Sequence, residues 1–420
     1  MLARTQAPEP SAGSTANTIR AEFPLLAEPR RAGALHYLDN AATTHKPRAV
    51  IDAEVDCYRS SYAPVHRGLY ALAETATANY ENARATLARF IGAGAPGQLI
   101  FTRSTTEAIN MVAHGWARPR LKPGDAIWVT RMEHHANFLP WQRVCRETGA
   151  NLRIIELTPD GELDLARSDD IFGNRTRLIA VTHISNVLGT VNPIDQIVER
   201  ARVKRIPVLI DAAQSVSHAR VDVAEWGCDF LAFSAHKMYG PTGIGALYGS
   251  AERLEETEPL LLGGGMVDDV NDAVSVWAPL PARLEAGSPN LAGAVGFAAA
   301  AEFLTTRIGM ARAYAEVQSL TDYLVETLRR LPGVTVYGPS EPSRRSGIAA
   351  FNAAGIHAHD VAQTAGESGV AIRAGHHCCL PLHRRLGIAA SARASVAVYN
   401  TRRDIEALAD AVERARKIFG

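Results

Sequence analysis

The chain has little cysteine, few aromatic residues and no excess of charge of either sign. Its five cysteines are Cys57, Cys145, Cys228, Cys378 and Cys379, in 420 residues. So odd and sparse a set carries no disulfide framework and fits a reducing compartment with free thiols. Lysine plus arginine equals aspartate plus glutamate at 44 each, so no global field draws in nucleic acid or an anionic membrane. Aromatics make up 6%, too few for a base-stacking platform. The longest apolar runs, such as "AVGFAAAAEFL", are too short to span a bilayer. The first stretch, "MLARTQAPEPSAGSTANTIR", lacks the apolar core of a signal peptide. Residues 1–30 read as a disordered tail, either loose or packed against the C-terminal part. No repeat of solenoid period is visible.

Against this background, short β-branched runs stand out between Leu99 and Ser250. "QLIFT", "AIWVT", "NLRIIEL", "RLIAVTH", "PVLIDAA", "FLAFSA" and "GALYG" are nearly all apolar, as strands buried on both faces of a parallel sheet are. Helical stretches such as "PIDQIVERARVKR" lie between them. This alternation predicts a mostly parallel, seven-stranded α/β sheet with ligands at the carboxyl ends of its strands. Later come long helical periods and four more short strands. A capping box, Thr401 to Asp404, precedes the last helix. The expected organisation is a large α/β domain over 31–306 and a smaller α+β domain over 307–420.

Three strand ends carry candidate chemistry. "FTRSTTEAIN" sets Thr105 and Thr106 at a helix start, fit to bind an anion or simply to cap the helix. "VLIDAAQS" ends a strand on Asp211, a carboxylate that needs a cationic partner or else a turn-former, with Gln214 close behind. "FLAFSAHKMYGPTGIG" places Lys237 after a strand beside Ser234 and His236. Desolvation there would suit Schiff-base chemistry, though a bland surface lysine is the commoner case. Together, and in this order, they are the parts needed to hold pyridoxal phosphate.

A fourth stretch, "IRAGHHCCLPLH", admits three readings. Zinc would need four adjacent side chains to converge, against the alternation of extended chain. A disulfide between Cys378 and Cys379 is geometrically strained. A nucleophilic thiolate needs nearby cations, for which His376, His377 and Arg373 are candidates.

These motifs, with "YLDNAATTHKP", "VHRGLYALAETAT", "MEHHANFLPW", "HISNVLGTVNPI", "EAGSPN" and "RASVAVYN", resemble the class V aminotransferase-like pyridoxal-phosphate enzymes of fold type I. Within these, the chain is most similar to SufS-type (type II) cysteine desulfurases. The resemblance covers nearly everything after the tail. It implies that Lys237 is the Schiff-base lysine and proton shuttle, that Asp211 pairs with the pyridinium nitrogen, and that Gln214 bonds the phenolic oxygen. His134 would stack on the ring. Thr106, Ser234 and His236 would bind the phosphate with Thr105 close by, and Ser288 would reach it from the second subunit of a homodimer. Asn186 and Arg393 would receive the substrate carboxylate, with His66 and Arg373 lining the same pocket. Cys378 would take the sulfur of L-cysteine as a persulfide, releasing alanine.

The resemblance further implies a cytoplasmic homodimer that hands sulfur to a SufE- or SufU-like acceptor for iron–sulfur assembly, with no metal at the site. A selenocysteine lyase or other C–S lyase of the same fold is the alternative, with L-selenocysteine as substrate. A non-catalytic sulfur carrier or metal-binding scaffold is the alternative of a different class. Several positions depart from the family pattern. "LGGGMVDDV" stands for the usual "HGGGEMI", Tyr70 for a histidine and Ser104 for a glycine. Ser288 replaces threonine, and Cys379 replaces a small apolar residue, commonly alanine. Cys379 could be silent or could accept the persulfide sulfur from its neighbour.

Overall fold

The computed structural model describes residues 18–27, 34–166 and 168–420. Seven strands form the main sheet: β1 (Leu99–Thr102), β2 (Ala126–Thr130), β3 (Asn151–Ile155), β4 (Thr176–Thr182), β5 (Val208–Asp211), β6 (Phe230–Ser234) and β7 (Gly245–Gly249). They lie in the order β1-β7-β6-β5-β4-β2-β3. All neighbours are parallel except those of β7, which runs antiparallel to both β6 and β1.

The period of two explains why these runs are apolar throughout. Ile100, Ile127, Val129, Leu178, Leu209 and Leu247 face one core. Their chain neighbours Leu99, Trp128, Ile179, Val208, Ile210 and Tyr248 face the other. With helices on both sides, neither face can be polar. β3 differs from expectation: residues of "NLRII" alternate with solvent, because β3 is the edge strand.

A second sheet holds β8 (Val334–Tyr337), β9 (Ile348–Ala353), β10 (Arg373–Gly375) and β11 (Ser391–Ser395), antiparallel in the order β8-β9-β11-β10. The helices Met310–Arg330, Ala358–Glu367 and Arg402–Phe419 accompany it. The capping box at Thr401 is present: its backbone N–H donates to Asp404 Oδ2 at 2.8 Å.

Two expectations need correction. Residues 18–27, the described part of the expected disordered tail, are ordered and follow the packed alternative, not the loose one. Phe23 is fully buried and sits edge-on to Tyr239, Phe303 and Tyr399, the last at 4.6 Å between ring centres. Arg20 donates to the carbonyls of Tyr399 and Leu35. The rest of the expected tail, 1–17 and 28–30, lies outside the described residues. Secondly, the run "AVGFAAAAEFL" belongs to a longer helix, Leu291–Ile308, whose 18 residues are long and apolar enough to cross a membrane. Here 67% of it is buried within the fold, packed against the helices Arg48–Asp56 and Ala71–Phe90, as a core helix is.

Candidate active site

The carboxyl ends of β1, β2, β4, β5 and β6 open into one cavity of ≈ 230 Å³. Below it, Asp211 ends β5 and is 4% exposed. Its Oδ1 accepts from Ala213 N–H at 2.9 Å. Burial raises its pKa, while that N–H and the charge of Lys237 oppose the rise. Lys237 closes the short turn Ala235–Lys237 after β6, where Lys46 Nζ donates to the carbonyl of His236. Desolvation lowers the lysine's pKa, against the pull of Asp211. Each charge thus feels the other, yet among the described residues no direct ion pair joins them. A group lying between, with a cationic nitrogen for Asp211 and a carbonyl for Lys237, completes this arrangement.

Hydroxyls gather at the other end. Thr105 N–H donates to Ser234 Oγ at 2.7 Å, and the two hydroxyls meet at 2.6 Å. Thr106 is exposed beside them in the same cavity. Ser104 caps the helix Thr105–Met111 with φ −176, extended backbone open to any residue, so no glycine is needed there. The close approach falls on Gly245, where a Cβ would come within 2.8 Å of Ser104 Cα. His236 Nδ1 lies 3.3 Å from Thr43 Oγ1, its pKa lowered to about 4 by burial and then by Lys237.

His134 leaves β2 with Nδ1 accepting from Ala136 N–H at 3.1 Å. Burial, and then Lys237, lower its pKa to about 3. It is a neutral ring with its proton on Nε2. Gln214 Nε2 donates to Ala41 O, which leaves its carbonyl oxygen available.

The opposite wall carries cations. Arg393, on β11, is 2% exposed and donates through Nη1 to Asn186 O at 2.8 Å and through Nη2 to Asp39 Oδ1 at 3.2 Å. Its buried Nε has no partner among the described residues. Arg373 reaches the same carboxylate from β10, at 3.1 Å. Asn186 Nδ2 donates to His377 O at 2.8 Å. This pins the bend that presents Cys378.

That bend is unusual. His377 (φ 50) and Cys378 (φ 54) both adopt the left-handed conformation without being glycine, a strain that persists only where surroundings enforce it. His135 N–H donates to Cys378 O at 2.7 Å and Leu380 N–H to His135 Nε2 at 3.2 Å. His377 Nε2 lies 3.0 Å from Ser391 O, and burial lowers its pKa to about 2. The outcome is an exposed Cys378 in the same cavity as Lys237. Cys379 turns away: it is fully buried, and its thiol donates to Glu133 O at 3.2 Å. All five cysteines are free. His377, Cys378 and Cys379 therefore point in three directions.

The cavity unites twelve of the expected residues, all but His66 and Ser288. Those two line a separate space of ≈ 720 Å³. His66 was expected in the substrate pocket but is instead exposed and paired with Glu81 at 2.9 Å. Ser288 is exposed nearby, next to the bidentate Arg84–Glu285 pair. Two important residues were not singled out from the sequence. Asp39 holds both arginines. Glu133 is a buried carboxyl that accepts from Thr130 Oγ1, Thr182 N–H and Asn137 Nδ2, with its pKa raised to about 8 by burial. The only signal for either was its place inside "YLDN" and "MEHH".

Comparison with known proteins now adds to the geometry. Residues 36–408 match the aminotransferase class-V family. The chain belongs to that family. A cysteine desulfurase of Serratia proteamaculans is 46% identical over 403 residues, covering 96% of this chain and 98% of the relative. One from the archaeon Haloferax volcanii is 43% identical, covering 96% and 97%. Among solved structures, the Escherichia coli cysteine desulfurase CsdA superposes with a TM-score of 0.88 at 39% identity, covering 97% of this chain and 99% of that one. The apo cysteine desulfurase of Thermococcus onnurineus NA1 gives 0.90 at 37%, covering 99% and 100%. This class V chain therefore has the type I fold of pyridoxal-phosphate enzymes.

Proposed function

We propose that this protein is a cysteine desulfurase that uses pyridoxal phosphate to convert L-cysteine to L-alanine and keeps the sulfur as a persulfide on Cys378. The observation that carries this reading is an exposed thiol held by a strained, anchored bend in the same cavity as Lys237 and Asp211.

The residues present fit the cofactor. Asp211 suits a pyridine nitrogen, Lys237 a carbonyl carbon, Gln214 a phenolic oxygen and His134 a flat ring. Thr105, Thr106, Ser234 and His236 suit the phosphate, with Ser288 supplied by a second copy of the chain. The bound cofactor supplies an electron sink for charge developing at the substrate's Cα. Asp211 maintains that sink by holding a proton on the ring nitrogen. Lys237, its basicity lowered by desolvation, accepts the Cα proton and returns it. Arg393 and Arg373 orient the substrate carboxylate, and Asn186 ties Arg393 to the cysteine bend.

Cys378 Sγ then attacks the substrate's sulfur. An S–S bond forms as the Cβ–S bond breaks, and the electron pair of that bond remains on carbon, where it takes up a proton. Alanine leaves, and the enzyme retains –S–SH. Lys237 and Arg393 line the same cavity as the Cys378 thiol. His66 lines the larger space together with Ser288. The acceptor is a SufE- or SufU-like protein serving iron–sulfur assembly in the cytoplasm.

The test is product analysis. Holoenzyme supplied with L-cysteine should yield alanine, and Cys378→Ala should lose that activity. Pyruvate and ammonia as main products would overturn the proposal in favour of an eliminating lyase. Better turnover of L-selenocysteine than of L-cysteine would point to a selenocysteine lyase.

A further inference from the structure

A third cavity, of ≈ 320 Å³, opens at the opposite end of the main sheet. It lies beside Thr176 and Pro207, at the amino ends of β4 and β5. Thr176 is six residues from Thr182 at the cofactor cavity, about 20 Å along an extended strand. This space is therefore separate from the site already described.

Its lining is one-sided in charge. Arg120, Arg177, Lys204, Arg205 and Arg253 contribute, and no aspartate or glutamate does, in a chain whose acids and bases are equal. Three of the five are neutralised from outside the lining: Arg177 by Asp125 at 3.0 Å, Arg253 by Asp229 at 3.0 Å and Arg120 by Glu256 at 3.7 Å. Lys204 and Arg205 have no carboxylate within 4.0 Å among the described residues. Two uncompensated cations thus face one cavity. Its remaining walls include the narrow exposed edges of Trp116, Leu121 and Ile206.

The backbone at this place adds an independent observation. The helix Ile194–Val203 ends with Arg205 at φ 55, its N–H donating to Arg202 O at 3.0 Å. A left-handed residue just past a helix end is usually glycine, because a side chain there crowds the backbone. This chain carries an arginine there instead, and that arginine lines the cavity.

We propose that this cavity binds a phosphorylated small molecule, its phosphate held by Lys204 and Arg205 and its apolar part lying against the edges of Trp116, Leu121 and Ile206. A volume of this size suits a ligand of one ring system and one phosphate. The proposal does not depend on the reaction at the other end of the sheet.

The test uses holoenzyme, so that the cofactor's phosphate site is filled. Phenyl phosphate, AMP and inorganic phosphate are titrated by calorimetry. Phenyl phosphate or AMP should bind saturably and more tightly than inorganic phosphate. The double variant Lys204→Gln/Arg205→Gly should weaken that binding at least tenfold. Arg205→Gly relieves the backbone strain as it removes the charge, so the variant should melt no lower than the parent and turn over substrate unchanged without ligand. Absence of saturable binding by both organic phosphates at millimolar concentration overturns the proposal. So does binding that the double variant leaves intact.

Discussion

Consider the replacement Cys379→Ala. A sulfur relay from Cys378 to Cys379 would require the second thiol to reach the persulfide as a thiolate. The structure opposes both conditions. Cys379 is fully buried and donates to Glu133 O. Burial, and then the nearby Glu133, push its pKa far above the ordinary thiol range. Each unit of that rise removes a factor of about ten in thiolate at neutral pH. Its role is packing in the core beside Glu133. Removing one buried sulfur and a weak hydrogen bond costs roughly 1–2 kcal/mol. With unfolding entropy near 2.1 cal/mol/K per residue, a chain this long loses only ~2 °C in Tm. The assay pairs a melting curve with alanine turnover and the decay of enzyme-bound persulfide, without acceptor. Turnover within about twofold of the parent, and an unchanged persulfide lifetime, are expected. A persulfide that persists several-fold longer in the variant would falsify the packing role and restore the relay.

Four further outcomes follow from the same structure. Phe23→Ala should destabilise by about 3–5 kcal/mol, seen as a lower denaturant midpoint; a surface-like change near zero would mean the N-terminal segment does not pack on Tyr399. Arg393→Lys loses the fork that serves Asn186 O and Asp39, so KM for L-cysteine should rise at least tenfold; an unchanged KM would remove Arg393 from carboxylate binding. Acid stability should be poor, because burial depresses His134, His183, His218, His236 and His377 to between about 2 and about 4. The unfolded chain binds these protons near pH 6.5, so their contribution is full above that value and declines as pH falls; proton uptake of up to five on unfolding at pH 5 is the signature, and none would refute it. Glu133→Gln keeps an oxygen for Thr130 and Thr182 but sets its amide N–H2 against the donor Asn137 Nδ2. It should cost about 1–3 kcal/mol and reduce kcat through the His134 loop, whereas a silent variant would deny Glu133 that positioning role.

Much of this site was legible because its residues sit at strand ends, where local pattern and chemistry coincide. Asp211 ends one apolar run and Lys237 follows another, both of which read as buried strands, and Thr105 opens a helix. Cys378 was legible as a nucleophile only once those parts implied a cofactor. Other features depend on contacts distant in sequence. Asp39 is a binding-site carboxylate because Arg373 and Arg393 converge on it from two strands more than 330 residues later. His66 lies apart because its φ of 69 turns it toward Glu81. Phe23 packs in an aromatic cluster drawn from three later segments, which no local composition foretells. β3 read as interior because apolar content does not distinguish an edge strand from a central one.

The central claim is that sulfur from L-cysteine resides on Cys378. Holoenzyme given one equivalent of L-cysteine without an acceptor, then alkylated, digested and mapped by mass spectrometry, tests it directly. The account predicts one extra sulfur atom on the peptide bearing Cys378, one alanine per site, and neither in Cys378→Ala. Free sulfide with an unmodified Cys378, or an extra sulfur on Cys379 alone, would contradict it.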